Sequence, residues 1–192
     1  MKPGLLGCLL LTLATDAWAH RLDEYLQATR VSVATNRIDL SIELTPGVAV
    51  ADQVLAIVDK DHDGRVSEKE VTGYAQRVLK DIQIKLDEKV LVPRLVDASF
   101  PALQDVKKGL GVIRFKATAP VESLAAGGHS LSLTNAHLPA ISVYLVNALV
   151  PKDPAIKITN QTRDELQKNY HLEFVITPPS PWRRLSNGDP AD

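Results

Sequence analysis

Between Asp59 and Glu70 the chain gathers oxygen ligands at regular spacing. Asp59, Asp61 and Asp63 stand two apart and are followed by Gly64, Ser67 and Glu70. Carboxylates crowded into so short a segment repel one another unless a cation lies among them. The chemistry that suits them is that of calcium, a hard ion that takes about six to eight oxygens in a flexible shell. In such a shell Asp59, Asp61 and Asp63 supply side-chain oxygens and Arg65 supplies only its backbone carbonyl. Ser67 acts directly or through a water, and Glu70 closes the far side with both carboxylate oxygens. Gly64 falls where the chain must turn into a conformation that a Cβ resists. Val66 is expected to point away from the ion into a core, and His62 to face solvent.

The flanks have helical pattern. Val50 to Val58 has an apolar face and no breaker, and after the loop Val71, Tyr74, Ala75, Val78, Leu79 and Ile82 recur at three-to-four spacing. Ser67 followed by Glu70 forms a capping box for the second helix. Loop and flanks together read as an EF-hand, D-x-D-x-D-G-x-V-S-x-x-E. The bland alternative is a solvated acidic turn of accidental spacing. Such hands usually occur in pairs, and the sequence contains no second loop of this type. A solitary hand must lean on something else: its own β-domain, or the same loop of a second copy.

Other chemistry is sparse. The chain has no nucleophile elbow, no H-E-x-x-H and no phosphate loop, so no enzyme is expected. Glu122-Ser123 and Asp164-Glu165 read as ordinary solvated pairs. Asn160-Gln161-Thr162 matches a glycosylation acceptor, but the match is too short to weigh. An alternative metal chemistry starts at His20. If cleavage after Ala19 leaves His20 first, its free α-amino group and imidazole would chelate copper or nickel. His129, His137 and His171 are candidates to join it, although histidines scattered singly read more readily as surface or core residues.

The loop needs elements to position it. Lys2, the apolar run Leu5 to Ala14 and Ala17-Trp18-Ala19 form a secretory signal peptide over residues 1–19, which predicts a periplasmic chain. The one cysteine, Cys8, leaves with it, so no disulfide is expected. No later stretch is long enough for a membrane helix. Net charge is −1 with no basic cluster, which gives no reason to expect nucleic-acid binding.

Alternating runs predict strands. Tyr25 to Val33 and Ile38 to Leu44 form a hairpin around Ala34-Thr35-Asn36-Arg37. Ile82 to Leu86 turns at Asp87-Glu88-Lys89 and returns as Val90 to Ala98. Leu110 to Ala119 follows, with Val112, Phe115 and Ala117 as inward residues. Then come His129 to Thr134 after the Gly127-Gly128 turn, Ile141 to Leu149, Ala155 to Gln161, and Tyr170 to Ile176. Asp164 to Lys168 fits a short helix or a loop equally well. About eight short strands predict a mainly β fold, an antiparallel Ig-like β-sandwich over residues 20–177. The helix–loop–helix is inserted at about residues 48–82, and residues 178–192 form a proline-rich, flexible tail.

Three stretches also carry a resemblance. They are His20-Arg21-Leu22-Asp23-Glu24-Tyr25-Leu26, Leu44 to Val71, and Leu131-Ser132-Leu133-Thr134-Asn135-Ala136-His137-Leu138-Pro139 with Ser142-Val143-Tyr144-Leu145-Val146-Asn147-Ala148-Leu149. They resemble the extracytoplasmic region of bacterial membrane proteins of the hydrogenase/urease-accessory, nickel-permease type. Similar regions precede the membrane helices of some nickel/cobalt exporters. The resemblance implies a periplasmic sensing or accessory domain that works beside a metal transporter. This sequence carries no membrane block, so the resemblance does not extend to transport.

Overall fold

Strict alternation makes the first two strands. In β1 (Tyr25–Ala34) every second residue is buried, and in β2 (Arg37–Pro46) the buried set is Ile38, Leu40, Ile42, Leu44 and Pro46. The strands pair from Tyr25 opposite Pro46 to Ala34 opposite Arg37, around a turn at Thr35-Asn36. This is the expected hairpin. The computed structural model describes residues 23–178, so the leader expected at 1–19, His20 and the tail expected beyond Pro178 lie outside the described residues.

The 3.6 period takes over after Gly47. Helix α1 (Val48–Val58) buries Val50, Ala51, Val54, Leu55 and Val58, and helix α2 (Glu68–Lys80) buries Val71, Tyr74, Ala75, Val78 and Leu79. Both capping-box bonds form at Ser67 and Glu70. Ile82 belongs to the next strand rather than to the helix. β3 (Ile82–Leu86) pairs with β4 (Lys89–Leu91).

The expected return strand Val90 to Ala98 proves to be two strands in two sheets. Pro93 has no N–H to give a ladder, and the chain crosses there to β5 (Arg94–Ser99) of the other sheet. A short helix that the sequence reading missed, α3 (Leu103–Lys107), leads to β6 (Ile113–Pro120). In β6 the inward residues are Ile113, Phe115, Ala117 and Ala119, so Phe115 and Ala117 face as expected and Val112 does not. β7 (Gly127–Asn135), β8 (Ser142–Ala148), β9 (Ile156–Arg163) and β10 (Asn169–Ile176) follow, and residues 164–168 form a turn.

Among the described residues ten strands make two five-stranded sheets, ordered β5-β6-β2-β1-β8 and β4-β3-β7-β10-β9. The fold is mainly β, a sandwich of two largely antiparallel sheets. One pair departs from the antiparallel expectation: β1 and β8 run parallel, Tyr25 beside Ser142 through Val31 beside Ala148. Parallel neighbours need a crossover rather than a hairpin. Here β8 arrives from the opposite sheet, so the crossover is the whole intervening chain.

Both sides of the sandwich are tied. On one side Pro93 links the edge strands β4 and β5. On the other, Arg163 of β9 donates from Nε to the Val146 carbonyl of β8 at 2.7 Å and lies over the Tyr170 ring. Inward residues of both sheets form one core with Val50, Val54 and Val58 of α1 and Val71, Tyr74 and Val78 of α2.

Helix α3 buttresses α1. Val106 is fully buried against Ala51 and Leu55. The chain passes over Val106 at Gly111, where an added Cβ would lie 2.7 Å from the Val106 nitrogen and 2.9 Å from its Cα. Gly73, in mid-α2, has nothing within 4 Å of such an atom. Gly111→Ala should therefore cost about 1–3 kcal/mol through backbone displacement. Gly73→Ala should gain about 0.5–1 kcal/mol from helix propensity. Urea unfolding of both variants checks the pair, which should change in opposite directions.

Candidate metal centre

Asp59 is fixed from behind. It caps the C-terminus of the buried helix α1, and its N–H bonds to the Leu55 carbonyl at 2.8 Å. That helix end carries partial negative charge and has no basic residue in its last turn. A carboxylate there is disfavoured unless something positive joins it.

The loop then folds on itself. Gly64 turns at φ +76°, as expected, and His62 also lies in the left-handed region at φ +58°. His62 is exposed. Each aspartate has one oxygen engaged by a downstream N–H. Asp59 Oδ2 accepts from Gly64 at 3.1 Å, Asp61 Oδ1 from Asp63 at 3.3 Å, and Asp63 Oδ1 from Arg65 at 2.7 Å. These bonds orient the carboxylates and leave further oxygens over. One ligand oxygen from each of the three lies within 4.8 Å of the others, and among the described residues they are the one such group of acidic, histidine or cysteine side chains. Asp59 Oδ1 is buried and has no hydrogen-bond partner. A buried, unpaired carboxylate oxygen is costly in the absence of a cation.

Glu70 stands at the loop's mouth. Its Oε1 accepts from the Lys60 N–H at 2.7 Å, and its Oε2 accepts from the Ser67 N–H at 2.9 Å and from the Ser67 hydroxyl at 2.8 Å. The Ser67 amide, then the Ser67 hydroxyl and the Lys60 amide, hold its carboxyl down at a pKa of about 2. Glu70 thus clasps both ends of the loop and stays ionised. Arg65 and Ser67 are exposed, Arg65 held through its N–H to Asp63.

Val66 is half-buried and packs against the main core. It shares a groove with Val71 of α2 and with Leu95, Ala98 and Phe100 on and beyond β5. The solitary loop therefore leans on the β-domain, the first of the two supports expected for it.

Three of the histidines named for a transition metal, His129, His137 and His171, have polar partners in the fold. His20 lies outside the described residues. His137 is fully buried with both ring nitrogens bonded: Nδ1 to Asp81 Oδ2 at 2.7 Å and Nε2 to the Tyr74 hydroxyl at 3.0 Å. His129 faces two acceptors, Asp87 Oδ2 at 2.7 Å from Nδ1 and the Ala125 carbonyl at 2.9 Å from Nε2. Both contacts are satisfied together only when both nitrogens carry hydrogen, so this setting favours the imidazolium. His171 lies on β10, 3.6 Å from Glu173.

A polar cluster under α2 went unread in the sequence. Tyr25 and Tyr74 share a hydrogen bond of 2.6 Å, and Tyr74 continues to His137. Gln27 donates to the His137 carbonyl at 2.8 Å and accepts from Asn135 at 3.0 Å. Tyr144 donates to the same carbonyl at 2.9 Å. One signal was available: Gln27 is in phase with Tyr25, Val31 and Val33, so it had to point inward and needed a partner.

No protein-family model matches the chain, and no curated protein matches it.

Burial lowers the His129 imidazole, but the Ala125 carbonyl and Asp87 outweigh it and the pKa is raised overall. The same bond, with the Ser130 N–H, lowers Asp87 against its own burial. The imidazolium stabilises the fold fully below about pH 6.5, the unfolded value, and this contribution fades as pH rises through the folded one. Asp87 contributes above about pH 3.9 and loses that contribution as pH falls further. His129→Gln should therefore destabilise the protein more at about pH 5 than at about pH 9, as measured by urea midpoints. An equal loss at both would mean that the ring is uncharged in the fold.

Proposed function

We propose that this chain is a calcium-binding module in which a single EF-hand, Asp59 to Glu70, ties two helices to a β-sandwich. The observation that carries this reading is the convergence of Asp59, Asp61 and Asp63 oxygens within 4.8 Å, with Asp59 Oδ1 buried and unpartnered. Calcium would take side-chain oxygens of Asp59, Asp61 and Asp63, the Arg65 carbonyl, Ser67 directly or through a water, and Glu70. The chemistry of the donors favours a hard ion over copper or nickel, since among the described residues no imidazole or thiol joins the group. The role is binding, not catalysis.

The leader at residues 1–19 supports a periplasmic placement. Calcium modules outside the cytoplasm work with dissociation constants as weak as about 10⁻⁴ to 10⁻³ M. The biological partner is proposed from the resemblance alone: a metal transporter beside which the module acts.

Calorimetric titration of the chain should give saturable heat with calcium and far less with magnesium, which demands tighter octahedral geometry. Heat from neither ion would end the proposal. At calcium about 100 times Kd, stability should rise by about 2.7 kcal/mol. For a chain of this size that raises Tm by about 5–10 °C. Glu70→Gln and Asp61→Asn should each weaken calcium binding by about tenfold or more, and unchanged affinity in either would contradict its place in the shell.

A further inference from the structure

Tyr25, Tyr74 and His137 form a buried row that ends on Asp81. Its contacts are Tyr25 hydroxyl to Tyr74 hydroxyl at 2.6 Å, Tyr74 hydroxyl to His137 Nε2 at 3.0 Å, and His137 Nδ1 to Asp81 Oδ2 at 2.7 Å. Each contact needs one hydrogen. The Asp81 carboxylate can only accept, so Nδ1 carries a proton. With a neutral ring, Nε2 accepts from Tyr74, and Tyr74 accepts from Tyr25. Three hydrogens then serve three contacts.

A second proton on the ring supplies one hydrogen too many. Nε2 then donates to Tyr74, whose own hydrogen must swing toward Tyr25. The Tyr25 hydroxyl is fully buried and has no further hydrogen-bond partner among the described residues. Wherever the surplus settles, the three contacts each keep a hydrogen, but one buried hydroxyl is left with an O–H that has no acceptor in the row.

That row is one of two holds on α2, the other being the core packing of Val71, Ala75, Val78 and Leu79. Tyr74 sits one turn beyond Glu70, and Asp81 caps the same helix. At its other end α2 carries Ser67 and Glu70 of the loop. α1, which ends on Asp59, shares that core through Val54 and Val58 and has no residue in the row. A change in the pose of α2 therefore moves Glu70 relative to the three aspartates.

We propose that cation binding in the Asp59–Glu70 loop is proton-linked through this row: a neutral His137 holds α2 in the pose that completes the shell, and a proton on Nε2 releases it. This rests on the calcium reading above. By reciprocity, bound calcium resists protonation of His137 to the same degree that the proton weakens calcium. The titratable and charged groups facing His137 are few. α2 and its cap present Tyr74, Arg77 and Asp81, β1 presents Tyr25, and β8 presents Tyr144. β7 presents the neutral Asn135. Burial, with Arg77 beside it, outweighs Asp81 and lowers the His137 pKa, in agreement with the count of hydrogens.

The test is calorimetric titration of the whole chain with calcium chloride at about pH 7.5 and about pH 5.5, a range in which ordinary carboxylates, near 4, change little. Wild type should lose about fivefold or more in affinity at the lower pH, within the usual span of coupling of about 5- to 150-fold. His137→Gln should lose most of that dependence. Heat at the higher pH with equal affinity at the lower overturns the linkage and leaves the calcium site standing. No heat at either overturns both. Loss of the dependence in His62→Gln instead of His137→Gln assigns it to the loop and overturns the proposal. Should His137→Gln fail to fold, imidazole NMR of wild type decides. Calcium should lower the His137 titration midpoint, and an unmoved midpoint overturns the linkage.

Discussion

Everything at the loop follows from the repulsion among carboxylates that two half-buried helices force together. The aspartates of an unconstrained acidic segment would spread into water. Here α1 delivers Asp59 at a helix end that is itself partly negative, and the Ser67 cap starts α2 where Glu70 clasps the loop. The apolar faces of both helices are committed to the core, so the loop cannot relax without exposing Val54, Val58, Val71 and Val78. Packing energy is thus set against electrostatic repulsion. A hard cation is the simplest group that satisfies both.

The sandwich supports the loop and its helices. The chain leaves one sheet at β4, turns at Pro93 and joins the other as β5, which brings Leu95, Ala98 and Phe100 against Val66 and Val71. At the opposite end of α2, Tyr74 and Asp81 reach into the polar cluster around His137. The helix is therefore fastened by apolar contact along its buried face and, from its middle to its C-terminal cap, by hydrogen bonds as well. The two fastenings respond differently to solvent conditions. Apolar contact ignores pH, whereas a row of hydroxyls and an imidazole does not.

Periodicity made much of this legible. The hairpin of β1 and β2, the two helices and the Ser67 cap are written in local pattern, and local pattern survives because nothing tertiary opposes it. The β4–β5 division was hidden because Val90 to Ala98 looks continuous, and a proline inside it can mark either an edge or a crossing. α3 is too short to show a period. Leu110 to Ala119 admits two phases, and Val112 was placed on the phase that Phe115 does not share. The three aspartates that the fold brings together were legible because each sits at a fixed offset along the chain. The His137 cluster was not, because its members come from β1, α2, β7 and β8 and meet only after both sheets have formed.

The parallel pairing of β1 with β8 bears on how the chain comes to be folded. β1 is an interior strand, yet one of its two neighbours lies more than half the chain away, Tyr25 beside Ser142. During synthesis its β2 side is covered almost at once, while its β8 side waits for nearly the whole domain to emerge. Closing so distant a contact is slow, because a large loop must be ordered before the pairing offsets its entropy. The first strand made is thus among the last to be enclosed, and until then it presents a long open edge on which a chaperone or a second unfinished copy can pair.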